Sequence, residues 1–313
     1  MPRAQTTTPA VLTRMLRERA LLAAIRPASV RAVAYQMFVR GLIPSMAKTH
    51  TNTVSHDLTV ARERKIIPWE WVVDETRRVE APPVWAGLED FLRDARLSYR
   101  RDLWADQDVH LEVWAEKGTV RATLAPVLDE YRIPFRVLHG FNSATVVKGT
   151  ADASLDLPED KPFVALYVGD YDPSGWYMSE VDLPARLERY GGEIDLRRIA
   201  LAPGDGPGRD PDPFTGLPLP GYDVLAPERL YPAGNKRAGQ PKNNCTPRYL
   251  AEAGAGRTGY ELDALAPPTL RTRLLDAVWG TDDAPGVIDR GAWGASLEDE
   301  QDDQERLDRL IDG

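Results

Sequence analysis

Residues 162–175 read PFVALYVGDYDPSG, an apolar run that stops at two aspartates spaced one apart and is closed by Pro173 and Gly175. Val164, Leu166 and Val168 have the branched, apolar character of a buried strand, and the proline and glycine are turn residues. Strand side chains alternate, so Asp170 and Asp172 are expected to point one way and Tyr171 the other. Two adjacent carboxylates repel unless a cation lies between them, and hard oxygen ligands suit Mg²⁺. The alternative is a strand end with solvated turn aspartates. A third carboxylate, Glu116, stands in the same kind of place: Val109, Leu111 and Val113 alternate as a strand that runs out in Ala115-Glu116-Lys117-Gly118.

A second kind of chemistry sits upstream, in SVRAVAYQMFVRG, residues 29–41. Ser29 suits a helix N-cap, and Gly41 and Pro44 end the helix. At about 100° per residue, Val30, Val33, Ala34, Met37 and Phe38 form one apolar stripe. Tyr35 falls outside it. Arg31, four residues earlier, shares the face of Tyr35, where a guanidinium can meet phosphate or favour a phenolate. The alternative is a half-buried boundary tyrosine.

Several elements must position these groups. Residues 10–25 read as an amphipathic helix rich in arginine, ended by Pro27 and suited to packing on a partner subunit. A third helix is expected over 51–65, with Val54, Leu58 and Ala61 inward and Asn52, Thr53, His56, Arg62 and Arg64 outward. IIPWEWVV, residues 66–73, alternates as a short strand or wing. Three helices, a β-wing and a basic polar face make the pattern of a winged helix, a pattern that helical bundles without DNA partners partly share. A linker helix is expected around 85–99. Then come a strand ending at Glu116, a helix over 119–131, a strand at 135–138, a turn HGFNSAT into a helix, and the strand ending at Asp170. That alternation implies right-handed crossovers and a mostly parallel α/β sheet, with Glu116, Asp170 and Asp172 on one edge. Lys117 beside them suits phosphate or a salt bridge.

A further helix and strand are expected near 183–190 and 196–201. Residues 203–247 hold 10 of the 26 prolines, an irregular excursion. Its Asp210-Pro211-Asp212-Pro213 repeats the aspartate spacing with no apolar strand before it, and so reads as a loop rather than a metal site. Residues 259–279 read as a strand end followed by a helix.

Composition sets the outer bounds. The 313-residue chain has length for about two domains and carries a net charge of −9. Residues 281–313, with 11 acidic and 3 basic side chains, hold most of the imbalance and read as a solvating or partner-binding tail with a short helix near 305–311. Residues 1–80 carry 13 Lys and Arg against 7 Asp and Glu, the sign expected of a surface that meets phosphates. Cys245 is the single cysteine, which excludes an internal disulfide framework, and His50, His56, His110 and His139 lack metal-ligand spacing. No run approaches a membrane span, and arginines 14, 17 and 19 fall where a signal peptide needs an apolar core, so a cytoplasmic protein is expected.

Three of these motifs occur in an order that resembles one family, the A subunit of topoisomerase VI and the related meiotic double-strand-break transesterase, with their short bacterial and phage-borne relatives. The arginine four residues before the family's tyrosine is matched by Arg31 and Tyr35, the glutamate after a strand by Glu116 in VWAEKG, and the D-x-D-P-x-G pattern by Asp170 and Asp172 in DYDPSG. The likeness runs from about residue 29 to 200, with an echo at 260–264. It implies an N-terminal arm (1–28), a winged-helix DNA-binding domain (29–105), a Toprim domain with a Pro/Gly-rich C-terminal extension (106–280) and an acidic tail (281–313). It also implies Mg²⁺ at Glu116, Asp170 and Asp172, with Tyr35 attacking a DNA phosphodiester and Arg31 assisting. Arg62, Arg64, Lys65 and Lys117 would contact double-stranded DNA. A homodimer in which the tyrosine of one protomer works with the metal site of the other, a separate ATPase subunit and a nucleoid-associated location follow from the same likeness. Many relatives have two adjacent aromatics at the tyrosine, whereas Ala34 precedes it here. Relatives with the same Toprim, such as the nuclease subunit of Wadjet-type plasmid defence, cut DNA by metal-dependent hydrolysis. A Toprim nuclease, or a DNA-binding component that binds metal without turnover, therefore stand as alternatives.

Overall fold

The computed structural model describes residues 8–73, 82–138, 144–202, 205, 211–213 and 215–312. Three N-terminal helices, α1 (Pro9–Ile25), α2 (Val30–Val39) and α3 (Lys48–Glu63), share one apolar core of Met15, Leu22, Ile25, Val33, Met37, Leu58 and Ile67. Ser29 caps α2 through its Oγ, which accepts the Ala32 N–H at 3.2 Å. Met15, Leu21, Leu22 and Ile25 of α1 pack on α2 and α3 of the same chain, while Leu12 and Leu16 stay exposed. The wing expected over 66–73 is a single 3₁₀ turn, Trp69–Trp71, followed by one bridge between Val72 and Ala28. Pro68 at the turn and the preceding Lys65 at φ 60° break the extended run. Residues 74–81, the continuation of any wing, lie outside the described residues.

After α4 (Leu88–Ser98) the chain becomes α/β. Strands β1 (His110–Ala115), β2 (Phe135–Val137), β3 (Phe163–Val168) and β4 (Ile194–Ala200) form a four-stranded sheet, wholly parallel, in the order β2-β1-β3-β4. Helix α5 (Val120–Glu130) connects β1 to β2, and α6 (Ala144–Leu155) leads from β2 to β3. The turn expected at 139–143 lies outside the described residues. α7 (Pro173–Tyr177) and α8 (Leu183–Arg189), joined by a π turn, lead to β4. β3 is buried at every position, as a central parallel strand requires. The strand order reverses between β1 and β3, the place where open α/β sheets leave a crevice at their carboxyl edge.

The Pro/Gly-rich excursion folds back on this edge. Its short strand β5 (Gly221–Asp223) pairs antiparallel with β6 (Thr258–Tyr260), with α9 (Thr246–Glu252) between them. Leu219 and Val224 anchor the excursion in the larger core. Asp212, read as part of a plain loop, is buried and holds Arg40 at the end of α2 at 2.8 Å; Asp210 lies outside the described residues. α10 (Pro267–Trp279) follows.

The acidic tail is one long helix, α11 (Arg290–Asp312), rather than a short one. Trp293 is buried against Trp104, Tyr131 and Trp279. Glu300 ion-pairs with Arg132, Asp303 with Arg101 and Asp308 with Arg96. Its negative charge is thus partly answered by arginines on and after α4, inside the same molecule. No helix among the described residues is long and apolar enough to cross a membrane.

Candidate functional site

Parallel pairing sets Ala115 beside Val168, so the chain leaves β1 and β3 at the same height of the sheet. Glu116 follows the first strand, its backbone N–H still on the Val168 carbonyl at 3.1 Å. Asp170 and Asp172 follow the second. Gly169 has no room for a side chain, because a Cβ there would lie 2.6 Å from the Tyr167 hydroxyl. Gly175 is equally confined: a Cβ would meet the Asp170 carbonyl oxygen at 2.4 Å and Glu116 Oε2 at 3.2 Å. The glycine of DYDPSG therefore lets the loop close down on the two acids.

The three carboxylates meet different fates. Asp170 is buried and accepts the Leu262 N–H at 2.9 Å, while its Oδ2 is 2.7 Å from Lys117 Nζ. Asp172 does not continue a strand alternation, because β3 has already ended at Val168. It caps α7 instead, its Oδ1 accepting the N–H groups of Ser174 (3.0 Å) and Gly175 (2.9 Å) and its Oδ2 the Tyr222 hydroxyl at 3.0 Å. Glu116 Oε2 is buried with no hydrogen-bond partner among the described residues. Burial, then the neighbouring Asp170, push the Glu116 carboxyl up to about 7, with Asp172 adding to the effect and Lys117 opposing it. Among the described residues no three His, Cys, Asp or Glu side chains gather as a metal-ligand group. The donor chemistry of Glu116 suits a hard divalent cation: a buried carboxylate oxygen without a hydrogen-bond partner among the described residues, under the charges of Asp170 and Asp172, gains from a positive charge.

Arg198 on β4 supports the loop from below. Its side chain is 6% exposed and donates to the carbonyls of Asp170 (3.2 Å), Gly175 (2.9 Å) and Leu201 (2.8 Å), with the guanidinium 4.7 Å from the Tyr167 ring centroid. Nothing local in the sequence singles it out: β4, IDLRRIA, alternates exposed and half-buried positions and carries Arg197 beside it. Glu261 and Asp263, which follow β6, complete the acidic edge and were not among the expected site residues. Their spacing of two after a strand repeats the Asp170-Asp172 pattern, the signal that could have found them. Arg31 Nε lies 2.8 Å from Asp263, and its guanidinium 3.7 Å from Glu261. Lys117 reaches Asp263 at 3.9 Å as well as Asp170. Carboxylates and cations thus alternate from Arg31 through Asp263 and Lys117 to Asp170.

Tyr35 lies just outside the core of α1 to α3 and enters the larger α/β core, where it is 9% exposed and packs edge-on to Phe38 at 5.9 Å. It borders an open groove of about 670 Å³ between α2 and α3, with Arg31, Lys48, Asn52 and Glu261 on its walls. Burial first, then Glu261, Asp263 and Asp170, hold the phenol well above its ordinary pKa, and Arg31 only partly offsets them. Tyr35 is therefore within electrostatic reach of Asp170 of its own chain.

Of the expected DNA contacts, Lys117 lies at the site and the other three do not. Lys117 is engaged by the acids. Arg62 stacks over Trp69 at 4.7 Å and donates to the Leu58 carbonyl at 3.2 Å. Arg64 and Lys65 are exposed at the carboxyl end of α3, whereas the groove is lined by its amino-terminal half. At ~1.5 Å per residue, the step from Lys48 to Arg62 is about 20 Å. The structure thus groups Arg31, Tyr35, Glu116, Lys117 and Asp170 and leaves Arg62, Arg64 and Lys65 apart. No protein-family model matches this chain, and searches of curated proteins and of solved structures return no match.

Proposed function

We propose that this chain is a Mg²⁺-dependent, DNA-binding and DNA-cleaving protein of topoisomerase VI A type, a winged-helix part (29–105) carrying Tyr35 and a Toprim part (106–280) carrying the acids. The observation that supports it most is Glu116 at the β1/β3 switch point, whose buried oxygen has no hydrogen-bond partner among the described residues and whose carboxyl feels the charges of Asp170 and Asp172. Glu116, Asp170 and Asp172 would hold the cation, which supplies neutralisation of the scissile phosphate. Tyr35 Oη attacks phosphorus and the bond to the 3′ oxygen breaks. The phenol gives up its proton to solvent, the departing oxygen takes one up, and a 5′-phosphotyrosyl link and a free 3′ hydroxyl result. Arg31 borders the same groove and suits a phosphate there. Double-stranded DNA, a second copy of the chain and a separate ATPase subunit are the partners this reading proposes, at the nucleoid.

One observation favours a second reading. Burial, and then the acids beside it, disfavour the Tyr35 phenolate, which suits hydrolysis by water in a Toprim nuclease. Supercoiled DNA incubated with Mg²⁺ or with EDTA tests both readings: each expects cleavage with Mg²⁺ alone, and its loss in Asp170→Asn. Metal-dependent cleavage that survives in that variant contradicts both. Folded, DNA-binding protein that never cleaves leaves a non-catalytic DNA-binding component.

A further inference from the structure

The Pro/Gly-rich excursion returns to Asp172 and walls off a second pocket. Tyr222 reaches Asp172 Oδ2 at 3.0 Å, and Asn243 Nδ2 reaches Ser174 Oγ at 2.7 Å. Between them lies a pocket of about 230 Å³ bordered by Asp172, Tyr222, Glu228, Arg229, Lys242 and Asn243. That is smaller than the roughly 300–1,000 Å³ of clefts for drug-sized ligands, and suits a small anionic group with part of its substituent. Residues 227–248 carry Arg229, Lys236, Arg237, Lys242 and Arg248 against Glu228 alone, a strongly positive stretch in a chain of net charge −9.

The two cations on the pocket wall are held in place without being neutralised. The Arg229 guanidinium lies 3.8 Å over the Tyr222 ring, and no carboxylate pairs with it among the described residues. Stacking fixes its plane and leaves its edge of N–H donors for an anion. Lys242 Nζ gives one hydrogen bond, to the Glu228 carbonyl at 2.7 Å, which leaves two donors. Glu228 is the one further carboxylate on the wall; Asp172 is already engaged by two backbone N–H groups and by Tyr222.

We propose that this pocket binds a backbone phosphate of a nucleic-acid strand, beside Asp172 and with a lining separate from that of the Tyr35 groove, with Arg229 and Lys242 as its ligands. The proposal rests on the DNA-cleaving reading and deepens it: the strand would be gripped at a second point beside the acidic edge. Tyr222, which touches Arg229 on one side and Asp172 on the other, is the positioning residue that joins the two subsites.

The test is fluorescence anisotropy of a labelled 30-base-pair duplex in EDTA, between about 50 and 200 mM salt, so that binding is read without cleavage. The pocket variant is Arg229→Gln with Lys242→Gln. The control, Lys236→Gln with Arg237→Gln, removes the same charge from the same loop away from the pocket. The expected result is about a tenfold loss of affinity and a log–log salt slope lower by about one in the pocket variant, against less than about threefold in the control. A pocket variant that binds like the wild type, or that loses no more than the control, overturns the proposal. A wild type that does not bind the duplex at all instead overturns the DNA reading on which the pocket depends. A fluorescent nucleoside monophosphate is expected to show no saturable binding at micromolar concentration. Saturable binding that disappears in the pocket variant assigns the pocket to a free nucleotide and overturns the assignment to a strand.

Discussion

Glu18 offers a test of the three-helix core that is independent of any activity. It faces inward from α1 with no measurable exposure, and neither of its carboxylate oxygens has a hydrogen-bond partner among the described residues. The nearby Arg14 is already committed to Asp57. Burial, then the charge of Asp57, push the Glu18 carboxyl from 4.5 up to about 8, with Arg14 opposing. The sign follows from proton linkage. Below pH 4.5 both folded and unfolded chains hold this proton; between 4.5 and 8 the unfolded chain releases it while the folded chain keeps it, so stability falls as pH rises. The full gap, at ~1.4 kcal/mol per pH unit, amounts to about 5 kcal/mol, of which about 4 kcal/mol falls between pH 5 and 9. Glu18→Gln keeps the shape and removes the titration. Urea unfolding of both proteins across that range should show the wild type losing about 4 kcal/mol more than the variant by pH 9. Parallel stability curves would refute the reasoning, since every other titrating group is common to the two proteins.

Two further perturbations probe packing, one beneath the proposed site and one where α11 docks. Arg198→Met strands the carbonyls of Asp170, Gly175 and Leu201, and at about 1–3 kcal/mol for each unsatisfied group should cost at least ~3 kcal/mol in denaturant unfolding. Trp293→Ala removes a buried ring that touches three other aromatics and should cost about 3–5 kcal/mol, with amide exchange of α11 accelerated more than that of β1 or β3.

The sheet and its acidic edge were legible because local pattern and topology agree there. Apolar runs define β1 and β3, Ser29 marks the start of α2, and alternation of strand and helix forces a parallel sheet that brings Glu116 and Asp170 to one edge. Asp172 was read in strand geometry and belongs to a helix cap, since the proline after it starts α7. Tyr35 shows the limit of a helical wheel. The stripe correctly placed it outside the core of α1 to α3, but a wheel cannot distinguish solvent from a second core. Glu261 and Asp263 repeat the aspartate spacing locally, but the chain return that brings them to the site some 90 residues after Asp170 is a tertiary feature that this spacing does not reveal. The acidic tail misled for the same reason: Arg96, Arg101 and Arg132, which answer Glu300, Asp303 and Asp308, lie far earlier in the chain.

The central claim is that Tyr35 is a nucleophile served by the acidic edge. Incubation of the protein with Mg²⁺ and end-labelled duplex DNA, followed by denaturation, proteolysis and mass spectrometry, reads it directly. The account predicts a peptide spanning Tyr35 that carries a 5′-phosphoryl nucleotide on its phenol, absent from Tyr35→Phe and from reactions in EDTA. Metal-dependent cleavage at undiminished rate in Tyr35→Phe, with no protein-linked DNA from the wild type, would contradict it.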